Sequence, residues 1–125
     1  MKINLSDGEW KLMNRLWDRA PMTIMELTAA LKEETGWSKN TVITMLARLE
    51  SKGAVRYETG ERAKRYFPAV AREDAARAET ESFLGKVYGG SLRLMVSAMV
   101  DSHSLTEADI AELSAILENA GREKK

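Results

Sequence analysis

The apolar positions of the chain first fall at helical intervals. Trp10, Met13, Leu16 and Trp17 share one face behind a Ser6/Glu9 capping pair, which predicts a helix over about 6–19. Ala20-Pro21 ends it, because proline disfavours helical geometry in the residue before it. Thr23 and Glu26 repeat the capping signature, and Ile24, Leu27, Ala30 and Leu31 give a second helix its buried stripe to about Glu34, with Gly36 closing it. Ser38 caps a third helix, in which Val42, Met45, Leu46 and Leu49 recur until Lys52-Gly53. The period then drops to two: Val55–Glu58 and Lys64–Phe67 flank Thr59-Gly60-Glu61-Arg62-Ala63 as the strands of a hairpin. From Val70 onward the spacing is helical again, over about 72–88, 90–101 and 106–120. Gly89-Gly90 and Asp101–Ser104 are the breaks, and Thr106 with Asp109 caps the last helix. Pro68–Arg72, leaving the hairpin, is the candidate domain boundary.

Three helices followed by a hairpin is the order of a winged helix, in which the third helix enters the major groove and the hairpin tip follows the backbone. The expected fold class is mainly α: a winged helix-turn-helix over residues 1–70, then a C-terminal helical dimerisation region over 71–125. On the third helix Lys39, Asn40, Thr41, Ile43, Thr44 and Arg48 lie off the apolar stripe. Asparagine can pair with adenine, a threonine methyl can meet that of thymine, and arginine or lysine suits guanine or phosphate. The hairpin adds Arg62, Lys64 and Arg65. Strand alternation sets Lys64 with Tyr66 on one face and Arg65 with Phe67 on the other, leaving Arg62 at the tip as the strongest phosphate candidate.

Charge sharpens this picture. The chain is neutral overall, yet residues 36–66 hold seven Lys/Arg against three Asp/Glu, while 1–35 hold five against six and 67–125 seven against ten. A local basic patch inside acidic flanks meets the need for phosphate neutralisation and limits indiscriminate sticking. Duplex DNA is the expected partner. Other chemistry is scarce: the 125 residues contain no cysteine and one histidine, His103, in an expected exposed turn beside Asp101, Ser102 and Ser104. Contiguous residues do not build a catalytic triad, and Glu33-Glu34 and Glu79/Glu81 lie on charged helix faces without a second ligand set. No enzyme activity, metal or cofactor is expected. No apolar run reaches the ~18 residues of a membrane span and the first residues lack a signal-peptide core, so no membrane insertion and a cytoplasmic location are expected.

The last helices call for a partner. Leu92, Leu94, Met95, Val96, Met99 and Val100 cover more than one face of a short helix, and Leu105, Ile110, Leu113, Ile116 and Leu117 stripe the next. So short a region rarely buries that much apolar surface by itself, and a second copy of the chain is the economical cover. Leu92, Met95, Val96, Met99, Leu113, Ile116 and Leu117 are the expected dimer interface.

Ser6-Asp7-Gly8-Glu9-Trp10 with Leu16-Trp17, Thr41-Val42 through Leu46-Ala47-Arg48-Leu49 with Lys52-Gly53, and Phe83-Leu84 with Tyr88-Gly89-Gly90 resemble the penicillinase-repressor family over essentially the whole chain. The resemblance implies a winged-helix homodimer that represses an operon by binding an inverted repeat, typically of TACA/TGTA type. It carries base reading to Asn40, Thr41, Ile43, Thr44 and Arg48; Thr41, Thr44 and Arg48 match, whereas Asn40 and Ile43 stand where resistance members carry basic residues. In the resistance branch a membrane sensor protease pathway relieves repression by cleavage in the C-terminal region. The corresponding bond here is Ala98-Met99, where that branch has an Asn-Phe type bond. The copper-responsive branch uses C-terminal cysteines, which this chain lacks. The residues also leave open a small-molecule-responsive winged-helix regulator, and a winged-helix interaction module without DNA binding.

Overall fold

The computed structural model describes residues 3–123. In chain order it contains α1 (Asp7–Asp18), α2 (Ile24–Thr35), α3 (Lys39–Ser51), β1 (Val55–Thr59), β2 (Lys64–Pro68), α4 (Arg72–Tyr88), α5 (Leu92–Asp101) and α6 (Glu107–Glu123). These residues form two compact units, which divide inside α4 between residues 81 and 82.

In the first unit, both expected capping boxes form. Ser6 Oγ accepts from the Glu9 amide while Glu9 accepts from the Ser6 amide, and Thr23 and Glu26 do the same for α2. Each box satisfies two donors that a helix start leaves without intrahelical partners. Gly36 closes α2 in the left-handed conformation. The apolar stripes then meet: Leu12, Met13 and Leu16 of α1, Leu27 and Leu31 of α2, and Val42, Leu46 and Leu49 of α3 are sealed from solvent.

The wing pairs β1 with β2 antiparallel, with Tyr57 opposite Tyr66 and Glu58 opposite Arg65. A further pairing is invisible to strand periodicity because it involves one residue. Met22 exchanges two backbone hydrogen bonds with Tyr66, of 3.1 and 2.8 Å, so the segment between α1 and α2 holds the wing. Trp17 Nε1 donates to the Val70 carbonyl at 2.9 Å, Arg72 pairs with Asp18 at 2.7 Å, and Ala75 is buried. The chain leaving the hairpin is thereby pinned to α1, and α4 through residue 81 belongs to this unit.

In the second unit, Gly89 and Gly90 end α4 at φ +59° and +86°, a backbone region that side chains disfavour. The Gly90 amide reaches back to the Leu84 carbonyl at 3.0 Å. Ser91 caps α5, and Thr106 and Asp109 exchange side-chain–backbone hydrogen bonds at the start of α6. None of residues 82–123 is buried. No helix among the described residues is long and apolar enough to cross a membrane.

Candidate nucleic-acid interface

The start of α3 is fixed by Ser38, whose hydroxyl accepts from the Thr41 amide at 3.3 Å and lies 3.2 Å from the Thr41 hydroxyl. With Val42, Met45, Leu46 and Leu49 turned into the core, Lys39, Asn40, Thr41, Ile43, Thr44 and Arg48 are all exposed. The Thr44 hydroxyl donates to the Asn40 carbonyl at 3.0 Å, so its proton is committed within the helix. An accepting oxygen and a methyl group remain to face a ligand. Ile43, 39% exposed, adds a second apolar contact of the kind that meets a thymine methyl.

The wing separates its cations by environment. Lys64 Nζ sits 4.3 Å from the centre of the Tyr57 ring, and the Arg56 guanidinium lies 4.3 Å from that of Phe67 and 3.4 Å from Glu58. Alternation sets Lys64 with Tyr66 and Tyr57, as the strand period requires. Among the described residues Arg62 and Arg65 form no ion pair. Both line an open cleft of about 410 Å³ between the wing tip and Thr23, the residue that caps α2. Burial raises the Tyr66 hydroxyl's pKa above its ordinary value, keeping it a neutral component of the wing base.

One charged group beneath α3 was visible in the sequence only as a helix cap. Glu9 is fully buried, and its Oε1 accepts from the Ser6 amide at 2.7 Å and from Lys52 Nζ at 2.6 Å. Lys52 also donates to the Asn4 carbonyl at 2.8 Å. Among the described residues Glu9 Oε2 accepts no hydrogen bond, and it stands 3.9 Å from Arg48 Nε. Burial pushes the Glu9 carboxyl upward, but the hydrogen bonds from Lys52 and Ser6 and the Lys52 charge outweigh it and hold the group below the ordinary value. Arg48, expected as a ligand contact, is thus also a neighbour of a buried carboxylate. A serine-to-glutamate cap spacing carries no sign of that.

The second unit brings the seven expected interface residues together. Leu92, Met95, Val96 and Met99 of α5 face Leu113, Ile116 and Leu117 of α6 across a groove of about 560 Å³, with Asp109 and Glu112 on its lining. Ala98 and Met99 both lie inside α5 and are exposed.

Three helices, a clasped wing and an exposed polar face on the third helix define a winged-helix protein of the DNA-binding class. Residues 5–119 match the family described as "Penicillinase repressor". The chain therefore belongs to the penicillinase-repressor family of DNA-binding transcriptional repressors. It is 32% identical over 121 residues to the penicillinase repressor of Bacillus licheniformis, covering 97% of this chain and 94% of that protein. It is 26% identical over 113 residues to the methicillin resistance regulatory protein MecI of Staphylococcus aureus, covering 90% and 92%. The solved structure of the monomeric form of B. licheniformis BlaI in complex with the blaP half-operator superposes with a TM-score of 0.52 at 32% identity, covering 58% of this chain and 90% of that one.

Proposed function

We propose that the protein acts in the cytoplasm as a homodimer that binds an inverted-repeat operator in duplex DNA, with α3 in the major groove and the wing on the phosphate backbone. The observation that carries this reading is the exposed face of α3. Six residues able to meet bases or phosphates stand on one side of a helix whose other side is locked into the core, and the wing adds two arginines, Arg62 and Arg65, that form no ion pair among the described residues. In the B. licheniformis relative, a monomeric form engages a half-operator. By transfer, one winged helix of the present chain reads one half-site. A two-fold dimer then requires a second half-site, inverted and phased by whole helical turns of ~34–36 Å.

Exposed Leu92, Ile116 and Leu117 at the α5/α6 groove support pairing through that unit. Cleavage between Ala98 and Met99, as a sensor protease pathway would direct, cuts α5 within this groove and would release the operator by dissolving the dimer. Titration of duplex fragments from the chain's own promoter region, at several salt concentrations and against random DNA, tests the reading. Arg62→Ala should weaken binding about equally on all sequences and lower the salt slope by up to ~1, whereas Thr44→Ala should alter preference among sites. No promoter preference at any salt would overturn it.

A further inference from the structure

Glu9 is more than a helix cap. The matching box on α2 places Glu26 at the surface, where its carboxylate holds Thr23 alone. Glu9 instead lies wholly buried between α1 and the C-terminal part of α3, and its Oε2 has no hydrogen-bond donor among the described residues. A carboxylate oxygen kept out of water without a donor is costly unless a cation answers it. A cationic donor edge stands close by, that of Arg48, with Nε 3.9 Å away. Arg48 Nη1 leans on the Met45 sulfur at 3.8 Å, and the side chain is about half exposed. One edge of the guanidinium therefore turns inward and the rest faces solvent on the same side of α3 as Thr41 and Thr44. Lys52 and Arg48 are two cations against a single carboxylate, so the cluster presents a surplus positive charge outward.

Resting on the DNA-binding reading above, we propose that Glu9 is a positioning residue that aims the Arg48 guanidinium at a backbone phosphate. A planar guanidinium can hold a carboxylate with one edge and a phosphate with the other, which a flexible lysine ammonium cannot do in fixed geometry. When a phosphate arrives, the Nε–Oε2 approach shortens into a hydrogen bond and satisfies the buried oxygen. Specific DNA binding and the satisfaction of a core acceptor become one event. The otherwise unexplained oxygen is what this arrangement accounts for.

Charge alone and positioning predict opposite signs, which makes the test decisive. Glu9→Gln removes a negative charge from beneath a DNA-binding face, so long-range electrostatics by itself would tighten binding. Positioning requires that binding weaken, by about three- to tenfold at the operator, with the effect confined to chains that carry Arg48. The experiment is a double-mutant cycle of Glu9→Gln and Arg48→Ala by fluorescence anisotropy on operator DNA, well below the unfolding temperature of each variant. Glu26→Gln serves as the charge-matched and cap-matched control, and should bind at least as well as the wild type. The expected result is a loss on Glu9→Gln that vanishes in the Arg48→Ala background. Equal or tighter binding by Glu9→Gln, or the same loss with and without Arg48, would overturn the proposal. Arg48→Lys, which leaves α1 and its cap intact, covers the case in which Glu9→Gln does not fold. It should show most of the loss of Arg48→Ala, and wild-type affinity would overturn the proposal. Wild-type chain that ignores operator DNA would instead sink the underlying reading, a result distinguishable from all of these.

Discussion

Leu27, Leu31 and Leu46 in the first unit are fully or almost fully sealed from solvent, while Leu92, Ile116 and Leu117 in the second are 55%, 62% and 66% exposed. Both sets sit at helical spacing and both come from helices with well-formed caps. The difference is enclosure. Three crossing helices and a wing surround the first set, whereas α5 and α6 border a groove and leave it open. Amphipathic helices specify which face must be covered, but only the number and placement of neighbouring elements decide whether one chain can cover it. A unit closed on itself owes its stability to its own packing. One left open gains stability from whatever fills the gap, and where a second copy fills it, as proposed above, its apparent stability should follow protein concentration.

The sharpest way to break this contrast is a pair of truncations. Leu46→Ala should cost about 2–5 kcal/mol, because the removed atoms leave a cavity in a packed core, and should lower the thermal midpoint at every protein concentration. Leu117→Ala should leave the first unit's unfolding unchanged and act only where chains associate. Differential scanning calorimetry over a hundredfold concentration range separates the two, and equal concentration-independent losses would erase the distinction between closed and open units.

Next in size is Leu117→Asp, which sets a carboxylate into the proposed α5/α6 interface and should weaken association by about 2–4 kcal/mol. Sedimentation equilibrium should show a dimeric wild type and a monomeric variant, with the circular dichroism of the winged helix retained. A variant that stays dimeric at micromolar concentration would place pairing elsewhere. Met99→Asp should behave alike.

Acid probes the first unit through Glu9. Because the folded state holds the Glu9 carboxyl below its ordinary value of 4.5, the stability it contributes is present above that value and is lost as pH falls through the lower, folded one. Unfolding midpoints measured from pH 7 downward should drop in that acid window, and Glu9→Gln should flatten the drop. An unchanged profile would show that the Lys52 and Ser6 contacts do not favour the charged form.

The smallest effect belongs to the second unit. His103 closes α5 at φ +58°, a conformation that costs a side chain roughly 1 kcal/mol and glycine little. His103→Gly should therefore be neutral or stabilising by up to ~1 kcal/mol in chemical denaturation, whereas Gly90→Ala, at φ +86°, should destabilise. Destabilisation by His103→Gly would mean that the histidine side chain holds something its exposed position does not suggest.

Much of this architecture was legible because it is written locally. The Ser6/Glu9 and Thr23/Glu26 boxes, the Gly36 stop and the Gly89-Gly90 break each depend on residues within a turn of one another, and all occur where spacing placed them. The exposed face of α3 followed from the complementary stripe of Val42, Met45, Leu46 and Leu49. What stayed hidden depends on contacts far apart in the chain. The Met22–Tyr66 pairing joins residues with no shared periodicity, and the burial of Glu9 becomes apparent only once Lys52 and Arg48 close over it. A glutamate at the third position of a helix reads the same in sequence whether it ends in solvent, as Glu26 does, or in the core. Pro68–Arg72 marks a change of period, yet Trp17, Asp18 and the buried Ala75 tie the following residues back to α1.

The paired bonds between Met22 and Tyr66 also set a clock for the wing. Their two amide protons are locked together, so neither can exchange with solvent deuterium until the segment before α2 and the second strand separate. That separation exposes the buried Tyr66 ring and Met22 side chain at once, which ties it to the slow opening of the whole unit. Glu61, Arg62 and Ala63, beyond the clasp, face solvent and should exchange within the dead time of the measurement. Under the proposed docking, with the wing held at its base by the clasp, adjustment to the curvature of a bound duplex would fall to the few residues around Arg62.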